Sequence, residues 1–106
     1  MKYLAITILA AVTFSIEAFA FPSTIGDAAV GCQEKDKLEK LLSYARAKDN
    51  EAFTKALLLG VSDGSCHMFH AGDSVEVTDV KWSGLNQVRP RGSIEEYWIV
   101  REALKR

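Results

Sequence analysis

The spacing of apolar residues changes about midway along the chain. Between residues 36 and 59 they recur every three to four positions, as on the buried face of a helix. These positions are Leu38, Leu41, Leu42, Ala45, Phe53, Ala56 and Leu57. From residue 65 onward, short segments of alternating character are separated by turn residues, which is typical of half-buried strands. The pattern predicts two helices followed by a β unit.

The helical stretch over about 36–59 is interrupted at residues 48–50. Two helices joined by so short a loop form an antiparallel hairpin. Asp36, with Glu39 three residues later, fits a capping box at the first helix, and Asp49 or its neighbour fits an N-cap of the second. The sequence therefore predicts a helical hairpin with polar caps at both starts.

Glycine marks the change of period. Gly60 stands where a left-handed residue commonly ends a helix. The strands that follow are predicted within a β unit over about 65–100, at 65–69, 75–80, 85–89 and 94–100. Residues 21–31 contain Pro22, Gly26 and Gly31 and are predicted to form an extended leader into the domain.

The N-terminus has the features of a secretion signal. Lys2 precedes an apolar run over 3–16, and Ala18 and Ala20 are the small residues that a signal peptidase requires. The run is shorter than the about 20 residues of a membrane span. We therefore expect a signal peptide over 1–20, a single domain over 21–106, and no stable membrane span after cleavage. The expected location is the periplasm, with the extracellular medium as the alternative.

The two cysteines, Cys32 and Cys66, have one possible intramolecular pairing. Because an exported chain reaches an oxidising compartment, we expect a disulfide between them. It would fasten the helical hairpin to the first strand of the β unit. On the chain-entropy model such a loop stabilises the fold by about 3–4 kcal/mol.

The charge of the chain is nearly balanced, with 13 basic and 14 acidic residues and a net charge of −1. A nucleic-acid-binding domain would carry a basic surface, so nucleic acid is not expected as a partner. Nothing in the composition indicates a cofactor or the oligomeric state.

The C-terminal part resembles a bacterial SH3-type domain. The residues that carry the resemblance are Gly72-Asp73-Ser74-Val75-Glu76-Val77, Gly84-Leu85-Asn86-Gln87-Val88-Arg89, Gly92 and Tyr97-Trp98-Ile99-Val100. It covers about residues 65–104 and implies an SH3-like barrel that binds a cell-wall peptide or a protein without catalysis. The helical hairpin is not part of that pattern. The predicted fold class is accordingly α+β, an N-terminal helical hairpin followed by a four-stranded SH3-like barrel with one disulfide.

Four residues are the candidates for a binding surface: Trp82, Arg89, Arg91 and Tyr97. Trp, Tyr and Arg are the residue types that dominate binding hot spots. The competing interpretation is that Trp82 fills the core and that both arginines are solvated loop residues. Alternation places Trp98 with Ile94 and Val100 on one strand face, which favours a core position for Trp98, and Tyr97 with Ile99 on the other.

A second cluster surrounds Cys66, where His67, Met68 and His70 offer ligands that suit copper or zinc. Alternation places His67 on the opposite strand face from Cys66, Met68 and His70. An oxidised Cys66 has no thiolate to offer a metal ion, so no metal site is expected. The same oxidation removes a Cys–His nucleophile. Glu95 and Glu96 are adjacent on a predicted strand and would point to opposite faces, which is unsuited to shared acid–base work. No catalytic residue is predicted.

These observations favour an exported, non-catalytic binding module whose partner is a protein or a peptidoglycan peptide. The alternative is a small exported inhibitor or immunity-type protein that blocks a hydrolase. A periplasmic metal-binding protein is a third hypothesis, with His67 and His70 as its ligands.

Overall fold

The computed structural model describes residues 20–105. The predicted signal peptide therefore lies outside the described residues, apart from Ala20. The first strand begins at Phe21, directly after the predicted cleavage position. No helix within residues 20–105 is long and apolar enough to cross a membrane.

Two strands precede the helices and four follow them. The strands are β1 (Phe21–Thr24), β2 (Ala29–Cys32), β3 (Cys66–Phe69), β4 (Ser74–Val80), β5 (Leu85–Pro90) and β6 (Tyr97–Val100), the helices are α1 (Lys35–Arg46) and α2 (Asn50–Ser62), and a 3-10 turn covers Arg101–Ala103. All strand pairs are antiparallel, in the order β1-β4-β5-β6-β2-β3. The architecture is a six-stranded antiparallel sheet with two helices inserted between its second and third strands.

The predicted fold class is wrong in two respects. The helical hairpin is not N-terminal, because β1 and β2 come before it, and the β unit is a six-stranded sheet rather than a four-stranded barrel. The residues predicted as an extended leader form both missing strands. Their partners are distant in sequence, since Phe21 pairs with Val77 and Cys32 pairs with Trp98. The glycines and the proline of residues 21–31 are uncommon inside strands, so the local sequence does not indicate that this segment pairs with distant strands.

Gly31 shows why a glycine stands inside a strand. A Cβ atom at this position would lie 2.7 Å from Ile99 Cγ2 and 2.7 Å from Phe69 Cε2. Only a residue without a side chain allows β2 to approach these two apolar groups so closely. The glycine that contributed to the prediction of an extended leader is thus required by core packing.

One face of the sheet holds what we call the sheet core. It consists of Ile25, Phe69, Val75, Val77, Val88, Tyr97, Ile99 and Ala103, all buried. After β6 the chain turns back, so that Leu104 bridges to Ile25 and the Lys105 N–H donates to the Thr24 carbonyl at 2.8 Å. The strands therefore wrap around this cluster, and the returning C-terminal segment closes it.

The opposite face holds the helix core, which consists of Cys32, Leu38, Leu41, Cys66, Leu85 and Trp98. Cys32 and Cys66 form the predicted disulfide, with Cα atoms 4.0 Å apart on neighbouring strands β2 and β3. Half-buried side chains of both helices, among them Phe53 and Leu57, pack against this cluster. The crosslink lies beneath the helical hairpin and joins the two strands between which it is inserted.

The predicted helix signals are met in part. The Asp49 carboxylate accepts a hydrogen bond from the Ala52 N–H at 3.1 Å, so this cap is confirmed. The capping box at Asp36 is wrong, because α1 already begins at Lys35 and its N-cap residue, Glu34, makes no side-chain cap. The helix-ending role of Gly60 is also wrong, since α2 continues to Ser62.

Gly60 serves packing instead. It faces the disulfide, because a Cβ atom at this position would lie 2.7 Å from Cys66 Sγ and 3.0 Å from Cys66 Cβ. The left-handed residue after α2 is Gly64, with φ of 84°. The absence of a side chain at residue 60 lets α2 rest directly on the crosslink.

Candidate functional site

The four sequence-predicted binding residues do not converge on one surface. Trp82 lies in the turn between β4 and β5, whereas Arg91 follows the far end of β5. The six residues of β5 separate these turns by roughly 17 Å. Tyr97 is only 8% exposed and belongs to the sheet core. A binding surface in this region therefore contains Trp82 or the arginines, but not both.

Trp82 is fully exposed on a well-defined turn. The Lys81 N–H donates to the Leu85 carbonyl at 2.9 Å, and the Gly84 N–H donates to the Lys81 carbonyl at 3.1 Å. Gly84 has a φ of 93°, a conformation that favours glycine. The turn holds the indole in solvent rather than against the core, so the core-filling interpretation of Trp82 is wrong.

A cleft of about 330 Å³ adjoins this indole. Its lining consists of Val80, Lys81, Trp82 and Arg101, which we call the hairpin surface. Arg101 reaches the turn because its backbone N–H donates to the Gly84 carbonyl at 2.8 Å. Val80 adds a half-exposed apolar side chain beside the indole. The hairpin surface thus combines an aromatic plane, an aliphatic group and two cations.

The two cations of the hairpin surface differ in their surroundings. Lys81 Nζ lies 3.3 Å from Asp79 Oδ2 and 5.9 Å from the ring centroid of Trp98. For Arg101, no carboxylate lies within salt-bridge distance among residues 20–105. The Arg101 guanidinium is therefore available to an anionic group of a bound partner.

The two arginine candidates lie at the other end of β5 and differ in their contacts. Arg91 Nη2 lies 3.7 Å from Glu76 Oε2. Arg89 stands directly opposite Glu76 on β4 and is half-buried, and its Nε atom is buried without a hydrogen bond within the described residues. Arg91 thus contacts the carboxylate of Glu76, whereas Arg89 is related to Glu76 only by its register position on the β4–β5 ladder.

Tyr97 contributes to packing between aromatic rings. Its ring centroid lies 5.9 Å from that of Phe69 and 5.4 Å from that of His67. His67 in turn contacts Phe69 edge-on, with ring centroids 4.6 Å apart. These contacts connect β3 to β6 across the sheet, and they place the imidazole of His67 against hydrocarbon.

The residues proposed as metal ligands do not lie together in the structure. His70 Nδ1 lies 4.0 Å from Asp73 Oδ2, while His67 lies against aromatic rings and Cys66 is in the disulfide. Within residues 20–105, no group of three or more His, Cys, Asp or Glu side chains is arranged to hold a metal ion. The His70–Asp73 contact belongs to a turn in which the His70 N–H also donates to the Asp73 carboxylate at 2.9 Å.

Glu95 and Glu96 lie outside any strand. Residues 94–96, predicted as part of the last strand, form an exposed loop, and β6 begins at Tyr97. The amide of Gln33 donates to the carboxylate of Glu95. The predicted opposition of the two glutamates across a strand is therefore wrong, because no strand exists there.

Sequence reasoning missed Lys81 and Arg101 as neighbours of Trp82. Lys81 directly precedes Trp82 in the chain, so the sequence alone could have indicated that the two side chains are neighbours. Arg101 is brought near by the pairing of Leu85 with Val100 in the β5–β6 ladder. Since that register depends on contacts between strands, no local pattern identifies Arg101 as part of the hairpin surface.

Comparisons with family models, curated protein sequences and solved structures find no match to this chain. The resemblance to bacterial SH3-type domains therefore stays a prediction from the sequence.

Proposed function

We propose that this protein is an exported, non-catalytic binding module, and that it holds a protein or a cell-wall peptide at the hairpin surface. The observation that carries the proposal is the fully exposed indole of Trp82. A large aromatic side chain that is exposed on a hydrogen-bonded turn does not contribute the free energy that its burial would supply. That cost is offset when the indole is buried by a partner, and tryptophan is among the residues most often found at binding hot spots.

The chemistry of the hairpin surface supports a peptide-like partner. The indole and Val80 provide a plane for an apolar group, and the guanidinium of Arg101 suits a carboxylate in a bidentate contact. Peptides of the cell wall and acidic segments of proteins both carry carboxylates beside apolar groups. The shared requirement is therefore an anionic peptide, and the source of the peptide is decided by experiment.

The test compares two exposed apolar side chains. The oxidised protein over 21–106 is incubated with purified sacculi and, separately, with a periplasmic extract. We expect Trp82→Ala to reduce retention at least about tenfold, as for a hot-spot residue. Ile94→Ala is the matched control, because Ile94 is also strongly exposed but lies in the loop before β6. Retention that is equal in the two variants would refute the proposal.

The arginines provide a second comparison. Arg101→Ala should weaken binding, whereas Arg91→Ala should not, because Arg91 lies at the opposite end of β5 beside Glu76. Retention by sacculi would identify a wall peptide as the partner. A one-to-one complex with one hydrolase, with loss of that enzyme's activity, would instead support the inhibitor alternative.

Export has its own test. N-terminal sequencing of the protein recovered from its native compartment should begin at Phe21. A chain that retains Met1 in the cytoplasm would contradict the periplasmic location.

A further inference from the structure

One buried polar side chain on β5 has an oxygen atom without a hydrogen bond. Asn86 is only 5% exposed, and within residues 20–105 its Oδ1 atom has no hydrogen-bond partner. An amide oxygen that is taken out of water without a hydrogen bond lowers stability, so such groups are uncommon in folded proteins. Packing within the described part of the chain therefore does not explain why an asparagine stands at this position.

The register of the sheet places Asn86 beside the hairpin surface. It stands directly opposite Val80 on β4 and directly opposite Ile99 on β6. Directly opposed residues project to the same face of a sheet, with Cβ atoms about 4.5–5.5 Å apart. Val80 lines the cleft of the hairpin surface, and so does Arg101, two residues after Ile99. The amide thus lies between two strands, each of which contributes to the cleft or leads directly into it.

Val80 and Asn86 form the type of cross-strand pair whose side chains approach most closely. The Lys81 N–H donates to the Leu85 carbonyl, so Lys81 and Leu85 form a hydrogen-bonded pair and the adjacent pair, Val80 with Asn86, is a non-hydrogen-bonded one. Val80 is 45% exposed at the end of β4. Changes of side-chain rotamer are common when a partner binds. A change at this half-exposed valine opens the Asn86 oxygen to a group in the cleft.

The polar side chains that line the cleft offer donors and no acceptor. They belong to Lys81, Trp82 and Arg101, and ammonium, indole and guanidinium groups all donate hydrogen bonds. These groups suit the carboxylate or the carbonyl oxygens of a peptide, but they cannot recognise its N–H groups. Asn86 Oδ1 is an acceptor beside this set of donors, so the two together match a ligand that carries both kinds of group.

We propose that Asn86 is a specificity-determining residue of the hairpin surface, and that its Oδ1 atom accepts a hydrogen bond from a main-chain N–H of the bound peptide. This inference rests on the proposed function and names the part of the partner that is recognised. The unpartnered amide oxygen gains its hydrogen bond when the peptide binds. An anion that has no N–H group, such as a phosphate, leaves the oxygen without one and is disfavoured.

The test replaces Asn86 by an apolar residue of nearly the same shape. Asn86→Leu is examined on the preparation that retains the unaltered oxidised protein, whether sacculi or periplasmic extract, and retention should fall at least about tenfold. The free energy of unfolding, measured with urea, should not fall, because leucine has no polar atom that burial leaves without a hydrogen bond. Retention and stability then change independently, which a purely structural role for Asn86 does not produce.

The next residue on β5 provides the matched control. Gln87 projects to the opposite face of the sheet, because side chains alternate along a strand, and it stands opposite Trp98 of the helix core. Gln87→Leu makes the same kind of replacement away from the cleft and should leave retention within about twofold.

Salt separates the two polar contacts of the cleft. The loss of retention in Arg101→Ala should shrink as the sodium chloride concentration rises, whereas the loss in Asn86→Leu should persist, because a neutral hydrogen bond is not screened. The role of Asn86 is refuted if Asn86→Leu keeps retention that Trp82→Ala loses, if retention and stability fall together, if Gln87→Leu loses as much, or if the loss fades with salt. If Trp82→Ala also keeps full retention, the proposed function itself fails, so the two failures are distinguishable.

Discussion

The two faces of the sheet are stabilised by different means. The sheet core draws its residues from Ile25 to Ala103, and the returning C-terminal segment closes it without any crosslink. The helix core lies under two short helices in which only Leu38, Leu41 and Gly60 are fully buried, and it contains the disulfide. The sheet core is stabilised by burial and by the hydrogen bonds of the strands around it, whereas the thin helical layer also benefits from a covalent link.

The largest effect is expected from Ile99→Ala in the sheet core. Ile99 is completely buried among side chains of several strands, so truncation should leave a cavity and cost about 2–5 kcal/mol. Denaturant unfolding of the oxidised protein measures the loss. Ile94→Ala, at an exposed position, should change the free energy of unfolding by less than about 0.5 kcal/mol. A similar loss in both variants would show that the sheet core is not closed as described.

Removal of the disulfide addresses the other face. The double variant Cys32→Ala with Cys66→Ala should cost about 3–4 kcal/mol, because the bond closes a loop with a sequence separation of 34 residues. Amide hydrogen exchange should show faster opening of α1, α2 and β3 than of β4 and β5. If all of these elements lost protection equally, the two faces would open as one unit, and the claim that the disulfide mainly stabilises the helical face would be refuted.

Gly60→Ala perturbs the contact between α2 and the crosslink. Alanine favours the helix by about 1 kcal/mol relative to glycine, but its Cβ would lie 2.7 Å from Cys66 Sγ. Overpacking of this kind costs about 1–3 kcal/mol, so we expect a net loss of about 1 kcal/mol. In the cysteine-free variant the loss should shrink. Thr54→Ala, on the exposed side of α2, serves as the control and should not destabilise.

The smallest effect concerns Asp63, after the end of α2. Hydrogen bonds from the hydroxyl and the backbone N–H of Ser65, followed by the charge of Lys37, lower the pKa of this carboxyl. A pKa depressed in the folded state contributes stability above the unfolded-state pKa, and that contribution is lost as pH falls through the folded-state value. Asp63→Asn should therefore lower stability near neutral pH, and the difference from the unaltered protein should vanish in acid. Urea unfolding at a series of pH values measures this difference.

Local patterns in the sequence located the helices, the strands β3, β4 and β5, and the disulfide. Periodicity is a property of neighbouring residues, and two cysteines have only one possible intramolecular pairing. The same reasoning assigned Trp98 to one face and Tyr97 and Ile99 to the other, and the two cores contain these three residues accordingly. Val100 packs against both clusters, and Ile94, which was predicted to share the face of Trp98, is exposed in the loop before β6.

The remaining features depend on residues that are distant in sequence. β1 and β2 exist because β4, β6 and β3 offer them hydrogen-bonding partners. Gly31 was assigned to an extended leader and Gly60 to a helix end, because a sequence does not show that Phe69 will approach the first and Cys66 the second. For the hairpin surface, the chain shows Trp82 and Lys81 together, but Arg101 joins them only through the β5–β6 register.

The path of the chain between β2 and β3 has a consequence for how the molecule can change. Cys32, the last residue of β2, pairs with Cys66, the first residue of β3, so the segment that contains both helices leaves the sheet and rejoins it at directly opposed positions. The order of the six strands does not depend on how long the excursion is, because its two ends are fixed side by side. A different segment could therefore take the place of the helices only if it also covered Leu85 and Trp98, which are buried beneath them.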